Sequence, residues 1–217
     1  QDLQRAIVDV ALALSMGVKH LSCYQLTIEP NTAFANSPPE QLPDDDALAD
    51  MQAAIIEQIG KAGLHRYEIS AYASDGHSCQ HNLNYWNFGD YLGIGAGAHG
   101  KISFADRIVR TVKRRHPEQY MALFAHALPG EPQEGARLED VDVDSLPFEF
   151  MLNALRLIEG VSLRAFHERT GLNVALLEPA LQRAVAQGLL VHDGLQVRAS
   201  ERGLDFLSDL QALFLPG

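Results

Sequence analysis

Apolar residues recur three and four apart at the start of the chain, at Leu3, Ile7, Val10, Ala11 and Leu14, and Gly17 stands where the pattern stops. That spacing predicts one face of a helix ended by a glycine. In HLSCYQLTIEP, Leu21, Cys23, Gln25 and Thr27 alternate with Ser22, Tyr24, Leu26 and Ile28, and both sets contain apolar residues. This predicts a strand buried on both faces, as in a parallel sheet, so helix and strand together read as half of a βαβ unit. Residues 31–43 hold Asn31, Asn36, Pro38, Pro39 and Pro43 and read as loop. Asp44, Asp45 and Asp46 then open a helix, where acidic groups answer the positive end of the helix dipole. Its expected buried stripe is Leu48, Met51, Ile55 and Ile59, and Gly63 ends it. HRYEISAYA, residues 65–73, predicts another strand.

The stretch SDGHSCQHNLNYWNFGDYLGIGAGAHG, residues 74–100, has no clear period. Residues 101–116 carry Lys101, Arg107, Arg110, Lys113, Arg114 and Arg115 against one Asp, but Ile102, Phe104, Ile108, Val109 and Val112 predict one or two strands there. A helix is expected from Pro117 to Leu128. Pro129, Gly130, Pro132, Gly135 and Pro147, with seven acidic residues through Glu149, make 129–147 read as a linker. The last part predicts helices at Phe148–Leu157, Ser162–Arg169 with Ser162 as N-cap, and Leu176–Gln187 ended by Gly188. LLVHDGLQVR predicts a hairpin turning at Asp193-Gly194, and Glu201–Leu213 a closing helix. Helices, hairpin and helix form a winged-helix-like pattern. The expected organisation is a first region 1–128, a linker 129–147 and a small C-terminal domain 148–217.

Composition narrows the classes. At 217 residues, 47% hydrophobic and 21% charged, the chain reads as one large or two small soluble globular domains. Its formal net charge of −11 argues against a nucleic-acid binder and gives no strong membrane signal. The expected recognition helix, LLEPALQRAVAQG, has only Arg183 as a base, so that domain reads as structural or interacting. Cys23 and Cys79 make neither a disulfide framework nor a four-ligand metal site. With no signal peptide or 18-residue apolar run visible, the default address is cytoplasmic. The helix-like opening without a Met predicts a piece of a longer protein.

Three stretches can carry chemistry. HNLNYW, His81–Trp86, holds the chain's only Trp. Rings that stack, amides that hold polar edges and an imidazole that can ligate a metal suit a flat aromatic ligand. A polar plug with packed aromatics is the other open reading. YLGIGAGAHG has Gly93, Gly95, Gly97 and Gly100 within eight residues and reads as a glycine-rich strand lying beside a cofactor or packed tightly in a barrel. It is neither a dinucleotide fingerprint nor a Walker loop. Gln25, Thr27 and Glu29 end a strand, where barrel enzymes place polar groups; Glu68 has unresolved parity. Lys113, Arg114 and Arg115 form a solvated face or meet an anionic group such as ligand carboxylates. His65, His77, His116, His126, His167 and His192 are scattered and read as surface or satisfied core.

Taken together, LSCYQLTIEPNTAFA, YEISAYA, HNLNYW and GDYLGIGAGAHG resemble the HemW group, relatives of oxygen-independent coproporphyrinogen III oxidase in the radical SAM superfamily. HNLNYW matches that group's HNxxYW motif at each fixed position, and the resemblance covers almost the whole chain. It implies an α/β fold: the last part of a partial βα (TIM-like) radical SAM barrel followed by a winged-helix-like α+β domain. It also implies a parent protein with a [4Fe–4S] cluster on CxxxCxxC and S-adenosylmethionine on the open iron. Carried over by position, Thr27 and His99 would lie at the S-adenosylmethionine site, with Gln25, Glu29 and Glu68 as further contacts suggested by strand geometry. His81, Asn82, Tyr85 and Trp86 would contact haem or porphyrin. The chain has no CxxxCxxC, and Cys23 and Cys79 stand 56 positions apart, so it holds no cluster and is expected to be inactive alone. The expected function is that of part of a haem chaperone that binds haem and passes it to acceptor proteins. The alternatives are part of an oxidase that decarboxylates coproporphyrinogen III, or a ligand-free interaction module.

Overall fold

A computed structural model describes residues 1–125 and 136–216. The chain divides between Cys79 and Gln80 into two compact units.

In the first unit, α1 (Leu3–Ser15) begins at Asp2, whose carboxylate accepts from the Arg5 amide. Then come β1 (His20–Ser22), the short α2 (Ala33–Asn36), α3 (Asp45–Lys61), β2 (His65–Glu68) and β3 (Ala71–Ala73). Asp44 caps α3 through the Ala47 amide, with Asp45 and Asp46 in its first turn and Lys61 in its last, matching the macrodipole at both ends. Helices α1 and α3 pack on one another. Val10, Ile59, Leu64 and Tyr72 form the core, with Leu14, Leu21, Cys23, Ile55 and Ile56 against it. Of the stripe expected on α3, Met51 and Ile59 are buried and Leu48 and Ile55 half-buried.

The sheet departs from the sequence reading. HRYEISAYA is two strands, with Arg66 closing the turn between them through two hydrogen bonds to the Ile69 carbonyl, 3.2 and 2.8 Å. The strand order is β1-β3-β2, and both pairs are antiparallel. Strands β1 and β2 therefore share a direction, as a helix–strand repeat requires, but β3 lies between them and no bonded pair is parallel. Burial on both faces belongs to the central β3, whose three residues are all buried, and not to β1. The strand expected to run through Ile28 stops at Ser22. One further bond, from the Cys23 amide to the Ser70 carbonyl, ends the ladder, because the partner chain turns there.

The second unit opens with α4 (Gln80–Trp86) and continues through β4 (His99–Ser103), β5 (Ile108–Lys113), α5 (Pro117–Phe124) and β6 (Ala136–Asp140). Strands β4, β5 and β6 form an antiparallel meander. Strand β6 occupies 136–140 of the stretch read as linker; 129–135, and the expected end of the preceding helix at 126–128, lie outside the described residues. Beyond a 3-10 turn at Val143–Ser145 come α6 (Leu146–Ala154), β7 (Val161–Ser162), α7 (Leu163–Thr170) and α8 (Glu178–Ala186). The chain closes with β8 (Leu190–His192), β9 (Gln196–Ala199), α9 (Glu201–Asp205) and α10 (Leu207–Ala212). Ser162 caps α7 through the Ala165 amide, and the Asp193 carboxylate accepts from the Leu195 and Gln196 amides to close the β8–β9 turn. The single closing helix expected over 201–213 is broken at Phe206.

One core serves this unit. Phe88, Ile108, Phe150, Phe166, Leu181 and Leu210 belong to a single buried cluster. Edge-to-face rings link Phe88 to Phe150 at 5.7 Å and Phe150 to Phe166 at 5.3 Å. The residue two places after HNLNYW is thus anchored among the C-terminal helices. Among the described residues, no helix is long and apolar enough to cross a membrane.

Candidate functional site

HNLNYW forms most of α4, a short helix in a stretch whose sequence has no helical period. Helical spacing puts positions 81 and 85 on one face. The exposed His81 imidazole accordingly meets the Tyr85 ring edge-on, with centroids 4.7 Å apart. Tyr85 lies 4.3 Å from Tyr91 with planes 34° apart, and 6.5 Å from Trp86. Burial, and then Tyr91, pushes the Tyr85 phenol above its ordinary range. Trp86 turns the other way, under the Arg156 guanidinium at 4.2 Å from the ring centroid. Its Nε1 is buried and makes no hydrogen bond among the described residues. Asn82 is half-buried. The four residues therefore divide: His81 and Tyr85 present a surface, and Trp86 packs inward.

The end of α4 is fastened. The Gly89 amide donates to the Asn84 carbonyl at 2.7 Å, and Asn84 Nδ2 donates to the Asp90 carbonyl at 2.8 Å. A Cβ on Gly89 would stand 2.8 Å from the Asn84 backbone oxygen and 2.0 Å from Asn84 Oδ1, so the glycine serves close backbone approach. Phe88 is left-handed, φ 56°, an uncommon conformation for an aromatic residue that its buried ring holds in place. Lys101, 2% exposed on β4, donates to the Phe88 carbonyl at 3.1 Å, Asp90 Oδ1 at 3.1 Å and Ser103 Oγ at 3.3 Å. All three ammonium donors are used, and Nζ also lies 4.1 Å from the Phe88 ring centroid. Burial pushes Lys101 below its ordinary pKa, against the pull of Asp90. For Asp90, burial works upward, but hydrogen bonds from the Ser103 amide and hydroxyl and from Lys101 outweigh it and hold the carboxyl low.

From Tyr91 the chain enters the glycine-rich stretch, expected as a strand but found as a loop. Tyr91 and Lys101 exchange two backbone bonds of 2.9 Å, and β4 begins only at His99. At Gly93 a Cβ would stand 2.3 Å from the His99 carbonyl oxygen, so the glycine serves close backbone approach. His99 is exposed and faces Val112 across β4–β5. Behind the loop, Arg110 pairs with Glu149. Burial works to lower Arg110, but Glu149 and the Tyr91 hydroxyl outweigh it and raise its pKa.

In the first unit, Gln25 lines a cavity of about 440 Å³ with Cys23, Leu26, Met51, Ile55 and Tyr72. Thr27 and Glu29 are exposed on the segment after β1 and do not line it, and Glu68 is 1% exposed in β2. Of Gln25, Thr27, Glu29 and Glu68, Gln25 alone lines this cavity. Burial pushes the Cys23 thiol up, away from thiolate. Two cysteines cannot supply the three thiolates of a cluster, and among the described residues no group of three His, Cys, Asp or Glu is placed to hold a metal ion.

Sequence reasoning missed Tyr91, Asp90, Lys101, Arg110 and Arg156. Lys101 carried one readable signal, a charge inside an apolar strand pattern, yet only the fold shows that its head lies beneath the end of α4.

Residues 141–206 match the HemN C-terminal domain family. The chain is 46% identical to the heme chaperone HemW of Escherichia coli (strain K12) and 42% to that of Haemophilus influenzae, in each case over 99% of this chain and 54% of the relative. The heme chaperone HemW of Bacillus subtilis is 33% identical over 89% of this chain and 50% of its own length. The chain spans about half the length of these relatives. Its fold is similar, with a TM-score of 0.70 at 13% identity, to coproporphyrinogen III oxidase (HemN) from Escherichia coli, described as a radical SAM enzyme; the match covers 99% of this chain and 52% of that one.

Proposed function

We propose that this chain, a relative of the HemW haem chaperones, is the haem-contacting part of a protein that binds haem and passes it to acceptor proteins. The observation that carries this is the exposed imidazole of His81 standing edge-on to Tyr85, which lies on Tyr91. An accessible imidazole beside tilted aromatic faces suits a flat metalloporphyrin, offering a ligand to iron and rings to the macrocycle. The fastening of α4 by Phe88, Gly89 and Lys101 holds that face in one geometry without the ligand. Asn82 and Trp86 stand on the same helix.

In this reading the first unit is the end of a partial βα barrel, and residues 148–217 form a winged-helix-like domain. The protein works in the cytoplasm. A [4Fe–4S] cluster would be ligated by cysteines outside this chain and would supply electrons to S-adenosylmethionine. Thr27, His99, Gln25, Glu29 and Glu68 are the residues here assigned toward that cofactor, on family position and strand geometry. An oxidase acting on coproporphyrinogen III has behind it likeness of fold and the HemN C-terminal domain match at residues 141–206.

The test is titration of the intact protein with haemin. The Soret band should shift, and His81→Ala should weaken binding about tenfold or more while leaving the far-ultraviolet circular dichroism unchanged. An unshifted Soret band in the wild-type protein would overturn the proposal.

A further inference from the structure

The glycine loop after Tyr91 runs along the most basic stretch of the chain. The Gly97 amide donates to the Arg114 carbonyl at 2.7 Å, the Lys113 amide to the Ala98 carbonyl at 2.9 Å, and the Gly95 amide to the Tyr120 hydroxyl at 3.3 Å. Loop and basic run are therefore one continuous surface. At the Tyr91 end of the loop, Leu92 and Ile94 are 76% and 87% exposed. At the far end stand Lys113, Arg114 and Arg115. Among the described residues no acidic side chain forms an ion pair with these three, in a chain of net charge −11.

We propose that Lys113, Arg114 and Arg115 are a carboxylate-binding ledge, taking the propionates of a tetrapyrrole whose apolar body lies over Leu92 and Ile94. This deepens the haem reading above and rests on it. The chemistry is that of an apolar plate with an acidic edge. Guanidinium groups bind carboxylates through paired, charge-assisted hydrogen bonds. Two aliphatic side chains left almost wholly in water gain when an apolar face covers them. The order along the loop also fits: Tyr91, in ring contact with Tyr85, comes first, then the aliphatic pair, then the basic run. An anionic lipid surface offers similar chemistry. Stable anchoring there needs a larger apolar area than two side chains on one loop, and the adjoining aromatic face favours the ring ligand.

The experiment compares haemin with haemin dimethyl ester, in which both carboxylates are blocked, on the intact protein. Wild type should prefer the diacid, and the preference should shrink with added salt. Arg114→Ala/Arg115→Ala should weaken haemin binding by about tenfold and leave the ester unchanged. Leu92→Ser/Ile94→Ser should weaken both ligands. If the double arginine variant keeps the wild-type preference for the diacid, the ledge is wrong and the haem reading survives. If wild type binds neither porphyrin, both fall. Sedimentation with phosphatidylglycerol vesicles that depends on Arg114 and Arg115, with haemin affinity unmoved, would reassign the ledge to lipid and overturn the proposal.

Discussion

Lys101 Nζ lies 3.1 Å from the Phe88 carbonyl oxygen and 4.1 Å from the centroid of the same residue's ring, so one buried ammonium fixes both the backbone and the side chain that end α4. Replacing it by methionine keeps the bulk but leaves that carbonyl without its donor. Lys101→Met should destabilise the second unit by about 1–3 kcal/mol in chemical denaturation. It should also weaken haemin binding, although Lys101 is buried and His81 is exposed. A stability loss with wild-type haemin affinity would show that α4 keeps its geometry without this contact.

The Asp90 end of the pair gives a pH dependence with a definite sign. Its carboxyl is held below its ordinary value of 3.8 in the folded state. The folded state therefore binds this proton less readily, and the stabilisation is present above that value. It is lost as pH falls through the lower folded pKa. Asp90→Asn should be less stable than wild type at neutral pH, and the gap should close well below 3.8. Denaturation curves for both proteins across that range provide the check, and a gap of constant size would contradict it.

Gly93 and Gly60 should respond oppositely to alanine. A Cβ at position 93 meets the His99 backbone oxygen at 2.3 Å, and neither side can yield without opening the Tyr91–Lys101 bridge. Gly93→Ala should lower stability by roughly 1–3 kcal/mol and disturb the ring contact of Tyr91 with Tyr85. Gly60 lies in α3 with open space where its Cβ would be. Gly60→Ala should stabilise the first unit by about 0.5–1 kcal/mol, by restricting the unfolded chain. Thermal melts of the two variants against wild type decide both signs.

Phe88 is 2% exposed and sits in the aromatic row that continues through Phe150 and Phe166. Phe88→Ala opens a cavity in that row and should destabilise the second unit by about 3–5 kcal/mol. Met121→Ala, at a 60% exposed position on α5, should stay within about 0.5 kcal/mol of wild type. Equal effects from the two would contradict a core that reaches back to α4.

Local pattern carried a large part of this protein. The spacing of Val10 and Leu14, the acidic start of α3, Ser162 as a cap and the Asp193-Gly194 turn were all readable, because each depends on neighbours within a few residues. HNLNYW was readable as an unusual grouping, though not as a helix. Other features depended on distant partners. HRYEISAYA keeps its alternation across Ile69 and Ser70, so the sequence could not show a hairpin there; pairing with β1 on one side and β2 on the other decided it. The glycine run became a loop because its bonds are scattered, to Lys101, Lys113, Arg114 and the Tyr120 hydroxyl, and form no continuous ladder. The His81 face exists because Phe88 is drawn into a core built mostly by the C-terminal helices and Lys101 is pulled beneath it. Side-chain type and spacing set which helices and turns could form, since those bonds are local. Long-range burial and the need to satisfy buried polar groups chose which residues meet, and so made a candidate site of one short helix.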